Sequence, residues 1–259
     1  MKKYPYRLGW IKDKPDSRDL NFSVQFRLPA KLPPSADLRS GCSPVEDQGQ
    51  LGSCTAQALI GALEYLEIQA NAPFADLSRL FVYYNERPDP TVDSGAQIRD
   101  GIKSLAKIGV CREDLWPYAI DQFAVKPPDA CYLAAGNHVI MQYTRLNTLN
   151  DMKSCLAMGY PFVAGFTVYP SMETDTVAKT GIIPMPSLLD RIRGSVGGHA
   201  ICFVGFNDAS QRFIIRNSWG VGWGDKGFGY LPYKYPVSDA WCIERESSNL
   251  YTSNPSGGA

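Results

Sequence analysis

The stretch from Ser53 to about Gln69 constrains the fold most. It carries Ala58, Leu59, Ile60, Ala62, Leu63, Leu66 and Ile68, so a helix over these residues is apolar nearly all round. Such a helix belongs inside a core, and 259 residues suffice to build one. Leading into it is a turn of small residues, Gln48-Gly49-Gln50-Leu51-Gly52-Ser53-Cys54-Thr55-Ala56, which delivers a cysteine to the helix start. Unpaired N–H groups and the partial positive charge of a helix N-terminus favour thiolate over thiol, and the thiolate is the nucleophile. Most unpaired cysteines are small buried hydrophobes, so the turn needs partners elsewhere before it means chemistry.

Around this helix the chain divides into two characters. Leu77 to Glu86 reads as a second helix, and Ile98, Ile102 and Leu105 at i, i+4, i+7 predict a third that ends near Gly109. A short helix around Leu149 to Met158 follows. Then Phe162 to Val168, Ala200 to Phe206 and Arg212 to Arg216 form β-branched or aromatic runs bounded by Gly, Asn and Asp, which read as strands. A helical half followed by a strand half predicts an α+β protein in two lobes. The expected organisation is an N-terminal arm over 1–34, a helical lobe over 35–134, a strand lobe over 135–247 and a loose tail over 248–259. The arm is polar and proline-punctuated, without sustained periodicity.

Bulk properties narrow the function classes. Lysine plus arginine and aspartate plus glutamate both number 26, so no nucleic-acid or polyanion partner is indicated. No apolar run approaches a membrane span. The basic start Met1-Lys2-Lys3 lacks a following apolar core, so a cytoplasmic protein or one exported without a cleavable signal is expected. Seven scattered cysteines without C-x-x-C or Cys/His spacing argue against zinc; mostly reduced thiols are expected, with one or two disulfides left open.

Two histidines exist. His199 lies in Gly197-Gly198-His199-Ala200, at the mouth of a strand where glycines permit close approach of another backbone or a substrate. His138 has no partner motif and reads as structural. Downstream, Ile214-Ile215-Arg216-Asn217-Ser218-Trp219-Gly220-Val221-Gly222-Trp223-Gly224 puts an amide at a strand end beside two tryptophans.

In this order these motifs resemble the papain family of cysteine peptidases, over about Leu32 to Glu244. About 145 residues separate Cys54 from His199, inside the roughly 130–150 spacing of a papain-type pair. The resemblance implies a helical lobe and a β-barrel-like lobe with the active site in the cleft between them. It also implies Cys54 as nucleophile, His199 as general base, Asn217 as the residue orienting the histidine, Gln48 as oxyanion donor, and Trp219 as a cover for the His–Asn contact. Val168, Gly197, Gly198 and Trp219 are the expected cleft residues. Peptide-bond hydrolysis through an acyl-enzyme follows, on a protein or peptide substrate, with no metal and no cofactor. Acyl transfer or ligation at the same site, and a catalytically silent binding module, are the alternatives.

The chain departs from the family pattern at three places. Leu51 stands where secreted members carry a disulfide cysteine, Thr55 where a large aromatic follows the nucleophile, and Gly198 where an aspartate often precedes the histidine. The short leader, with Gly9-Trp10 and Pro15-Asp16-Ser17-Arg18-Asp19, resembles that of bacterial members. Its extended character predicts that residues 1–34 lie across or beside the cleft and restrain activity.

Overall fold

The computed structural model describes residues 6–245; the expected tail over 248–259 lies outside them. The central helix runs Cys54–Gln69 and is buried on almost every face, as its composition requires. Arg79–Asn85, capped by Ser78 whose hydroxyl accepts the Phe81 N–H, and Ile98–Lys107 pack against it. Leu59, Leu63, Phe81, Ile98, Ile102 and Leu105 form the heart of this helical layer.

The strand lobe is a seven-stranded antiparallel sheet. Along its path lie Gln142–Arg145, Val237–Glu244, Phe162–Val168, Gly197–Asn207, Arg212–Arg216 and Phe228–Pro232, while Ser35–Asp37 pairs with the far end of Gly197–Asn207. Its aromatic core holds Phe162, Phe166, Phe203, Phe206 and Phe213. The helix Leu149–Ala157 starts with a capping box between Thr148 and Asp151 and covers one face. Together the layers make the α+β, two-lobe architecture that the sequence led us to expect. Gln142–Arg145, Phe228–Pro232 and Val237–Glu244 carry too little alternation to announce themselves locally; they form because the sheet needs them as partners.

The arm is more embedded than its sequence suggests. Trp10–Ile11 pairs in parallel with Ala96–Gln97 on the helical side. Further along, Phe22 and Phe26 stack at 4.3 Å and enter the strand-lobe core, with Phe22 fully buried. Between them, Asp13, Asp19 and Asp239 share Arg99 and Arg145: Arg145 lies 3.2 Å from Asp13, 2.9 Å from Asp19 and 3.1 Å from Asp239. The arm therefore has a root, from Asp13 onward, tied into both lobes, and a tip, Tyr6 to Ile11.

Candidate active site

The central helix and the strand Gly197–Asn207 meet at the site. The Ala200 N–H donates to the Cys54 Sγ at 3.4 Å, which sets the first residue of the helix beside the strand position after His199. His199 Nε2 lies 2.8 Å from Asn217 Oδ1, and Oδ1 also accepts the Ser218 N–H at 2.9 Å. With Nε2 engaged by a carbonyl oxygen, that nitrogen carries the proton in the neutral ring. Nδ1 is buried and has no hydrogen-bond partner among the described residues. The Trp219 indole stacks on the imidazole at 4.7 Å and closes the His–Asn contact off from water.

Gln48 is fully buried at the turn before the helix. Its Oε1 accepts the Ser218 hydroxyl at 2.6 Å, which orients the amide, and its Nε2 donates to the Leu51 carbonyl at 3.0 Å and to the Arg7 carbonyl of the arm at 2.8 Å. Tyr118 braces the same turn, 2.6 Å from the Ser53 hydroxyl and donating to the Gln48 carbonyl at 3.0 Å. Thr55 donates to the buried Glu86 at 2.6 Å.

The arm tip fills the space over these residues. Tyr6 stacks on Trp219 at 4.9 Å and donates its hydroxyl to the Trp219 carbonyl at 2.8 Å. Leu8 touches Gly197, the Gly9 backbone lies over the nucleophile turn against Gly52, and Trp10 lies in a hollow floored by Gly165 and Gly198. A Cβ at Gly165 would collide with the indole, and one at Gly198 with the Trp10 carbonyl. Under this cover Cys54 and His199 are both inaccessible to solvent. Burial pushes the thiol up to about 11, against the pull of the Ala200 and Gly9 N–H groups, and pushes the imidazole down to about 4, against the Asn217 bond. Both groups are thus neutral in this state: desolvation penalises each charged form.

The sequence-derived residues Cys54, His199, Asn217, Gln48 and Trp219 come together here, and Gly197 and Gly198 line the cleft. Val168 does not. It points into the strand-lobe core with Phe162, Ala164 and Phe166, on the opposite face of its strand from Gly165. Gly165 is the lining residue that sequence reasoning missed, although a glycine inside an apolar strand signals close approach of another group. His138 lies apart, with Nδ1 2.8 Å from Glu67. No cluster suited to holding a metal occurs among the described residues.

With this geometry in view, comparisons with known proteins are informative. A family model described as papain family cysteine protease matches residues 32–248. The chain is 40% identical to an uncharacterized peptidase C1-like protein of Acanthamoeba polyphaga mimivirus, over 91% of this chain and 86% of that protein. Cysteine proteinase 2 of Entamoeba histolytica is 28% identical over 80% of this chain and 66% of its own length. Among solved structures, Xylellain, a cysteine protease from Xylella fastidiosa, matches with TM-score 0.84 and 38% identity, covering 95% of this chain and 99% of that one.

Proposed function

The chain belongs to the papain family of cysteine proteases and is a cysteine-type peptidase, and on that premise we propose that Cys54, His199, Asn217 and Gln48 carry its chemistry and that the arm tip restrains it. The observation that carries the assignment is the Asn217–His199 contact through Nε2, which leaves Nδ1 as the nitrogen free to exchange a proton with Cys54. Once the cleft is open, the thiol passes its proton to Nδ1, and the thiolate attacks the peptide carbonyl carbon. Nδ1–H then protonates the leaving amine as the tetrahedral adduct collapses to a thioester. Water, deprotonated by the same nitrogen, hydrolyses the acyl-enzyme. The Gln48 amide and the Cys54 backbone N–H stabilise the oxyanion, while Asn217 keeps the ring in its productive tautomer.

The arm supports self-inhibition in a specific way. It takes the Gln48 donor with the Arg7 carbonyl and leaves Cys54 with no exposure to solvent. The occupant engages the oxyanion donor and so keeps a substrate carbonyl from it. It also desolvates both Cys54 and His199 and so disfavours the ion pair. Because Phe22 and Phe26 belong to the core, removing all of residues 1–34 would unmake the fold; the tip alone is the inhibitory part.

An epoxide that alkylates active-site thiols provides the test, combined with hydrolysis of fluorogenic peptides. The expected result is one adduct at Cys54, and loss of both labelling and hydrolysis in Cys54→Ala with the fold retained. Near-wild-type hydrolysis by Cys54→Ala or His199→Ala would overturn the mechanism.

A further inference from the structure

The arm is the cleft's own occupant, so its contacts report which groups the cleft accepts. Next to the nucleophile turn lies Asp93, in the loop before Ala96. Its carboxylate is held from the protein side: the Gly52 N–H donates to Oδ1 at 3.1 Å, and the Tyr83 hydroxyl donates to the same oxygen. Gly52 makes this approach available, since a Cβ there would stand 2.9 Å from Oδ1. The other oxygen faces the cleft, where Arg7 Nε meets it at 2.8 Å while Arg7 Nη2 donates to the Asp93 carbonyl at 2.9 Å. The acid is 11% exposed and the guanidinium 54%, so a well-held carboxylate pairs with a cation that can leave. Arg87, nearby on the Tyr83 ring, spends its donors on the carbonyls of Tyr83, Val92 and Phe123. When the tip lifts, Asp93 loses the cation that the structure pairs with it.

We propose that Asp93 is a substrate-recognition residue that takes an arginine side chain close to the scissile bond, in the place Arg7 holds in the covered state. The inference rests on the peptidase reading above. A carboxylate oxygen and a carbonyl oxygen facing the same way match the two-pronged donor edge of a guanidinium, which an ammonium satisfies only in part. A partly buried carboxylate already oriented by two donors also costs little to organise for binding.

The test separates recognition from turnover. Full-length chain carrying Arg7→Ala and Trp10→Ala, to empty the tip's position, is made with Cys54→Ala for binding and with Cys54 intact for hydrolysis. Fluorescent peptide pairs that differ only in arginine or its neutral isostere citrulline, moved one position at a time, are the probes. At one position the arginine peptide is expected to bind about tenfold tighter or more. Asp93→Asn should collapse that ratio towards one, and so, with Asp93 intact, should a rise in salt from 50 to 500 mM. The salt series keeps the test available if the Asn variant misfolds. An arginine-to-citrulline ratio near one at every position with Asp93 present, or a ratio unmoved by Asp93→Asn, overturns the proposal. A preserved binding ratio without any hydrolysis by the Cys54 form supports Asp93 and overturns the peptidase reading instead.

Discussion

Removing the indole of Trp10 should raise the population of the uncovered state and with it the reactivity of Cys54. The ring is partly buried between the arm and the hollow over Gly165 and Gly198. A tryptophan buries about 150–250 Å² when enclosed; taking roughly 100 Å² lost, at about 25 cal/mol per Å², gives ~2.5 kcal/mol. The Tyr6–Trp219 stack and the Arg7–Asp93 pair remain, so Trp10→Ala loosens the tip without releasing it from every contact. If the open form is the minor state, its population rises about 70-fold for that energy, and rates that report it rise in proportion. The assay is the second-order rate of Cys54 alkylation by a thiol-directed epoxide, read beside peptide hydrolysis and circular dichroism. Gly165→Ala reaches the same end from the opposite wall, because its methyl takes the space of the ring. Alkylation within twofold of wild type in both variants, with the fold intact, would refute the idea that the tip gates the thiol.

Three further outcomes follow from the geometry. Gln48→Ala should lower kcat by about 10²–10³, the loss of one oxyanion donor, with steady-state kinetics in the Trp10→Ala background as the measurement. Phe22→Ala should destabilise the fold by about 3–5 kcal/mol, a core-cavity cost visible in thermal melts; a negligible change would place the arm root outside the core. Stability should also depend on acid through His199. Its imidazole resists protonation down to about 4 in the fold, against 6.5 ordinarily, so the unfolded chain binds the extra proton between those values. Stability from this group is therefore full above pH 6.5 and falls as pH drops towards 4, by on the order of 3 kcal/mol. Melting temperatures across that range should show the slope, and His199→Gln should flatten it.

On the proposed reading, the covered state keeps a reactive-thiol geometry idle. Nearby N–H groups at the helix start favour a thiolate, yet burial outweighs them while the tip is in place. Opening restores water to the cleft, and the same helix start and imidazole then act on a solvated pair. Acid favours that opening, since an imidazole that gains a proton is better accommodated in the uncovered cleft.

Much of this was legible in the chain alone. The helix from Cys54 declared itself through an apolar surface with no polar side, and the candidate thiol through the turn that precedes it. His199, Asn217 and Gln48 were legible as candidates through the family resemblance that the motifs carry in their order. Strands came out where β-branched runs were bounded by turn residues, and failed at Phe228–Pro232 and Val237–Glu244, where neighbours rather than local preference set the conformation. Val168 was expected in the cleft; the fold turns it with Phe162, Ala164 and Phe166 into the strand-lobe core and sets Gly165 under Trp10, a choice of face that a short apolar run does not reveal. Trp10 over Gly165 and Gly198, Arg7 on Asp93, and Phe22 in the strand-lobe core join residues far apart in the chain. Local periodicity carries no record of such contacts, because their energy comes from surfaces that exist only after both lobes have formed. A family resemblance carried by short motifs is legible in the chain and points to papain-type cysteine peptidase chemistry; folding sets Tyr6 to Trp10 over Cys54 and His199 and Arg7 beside Asp93, because only the assembled lobes bring these residues together.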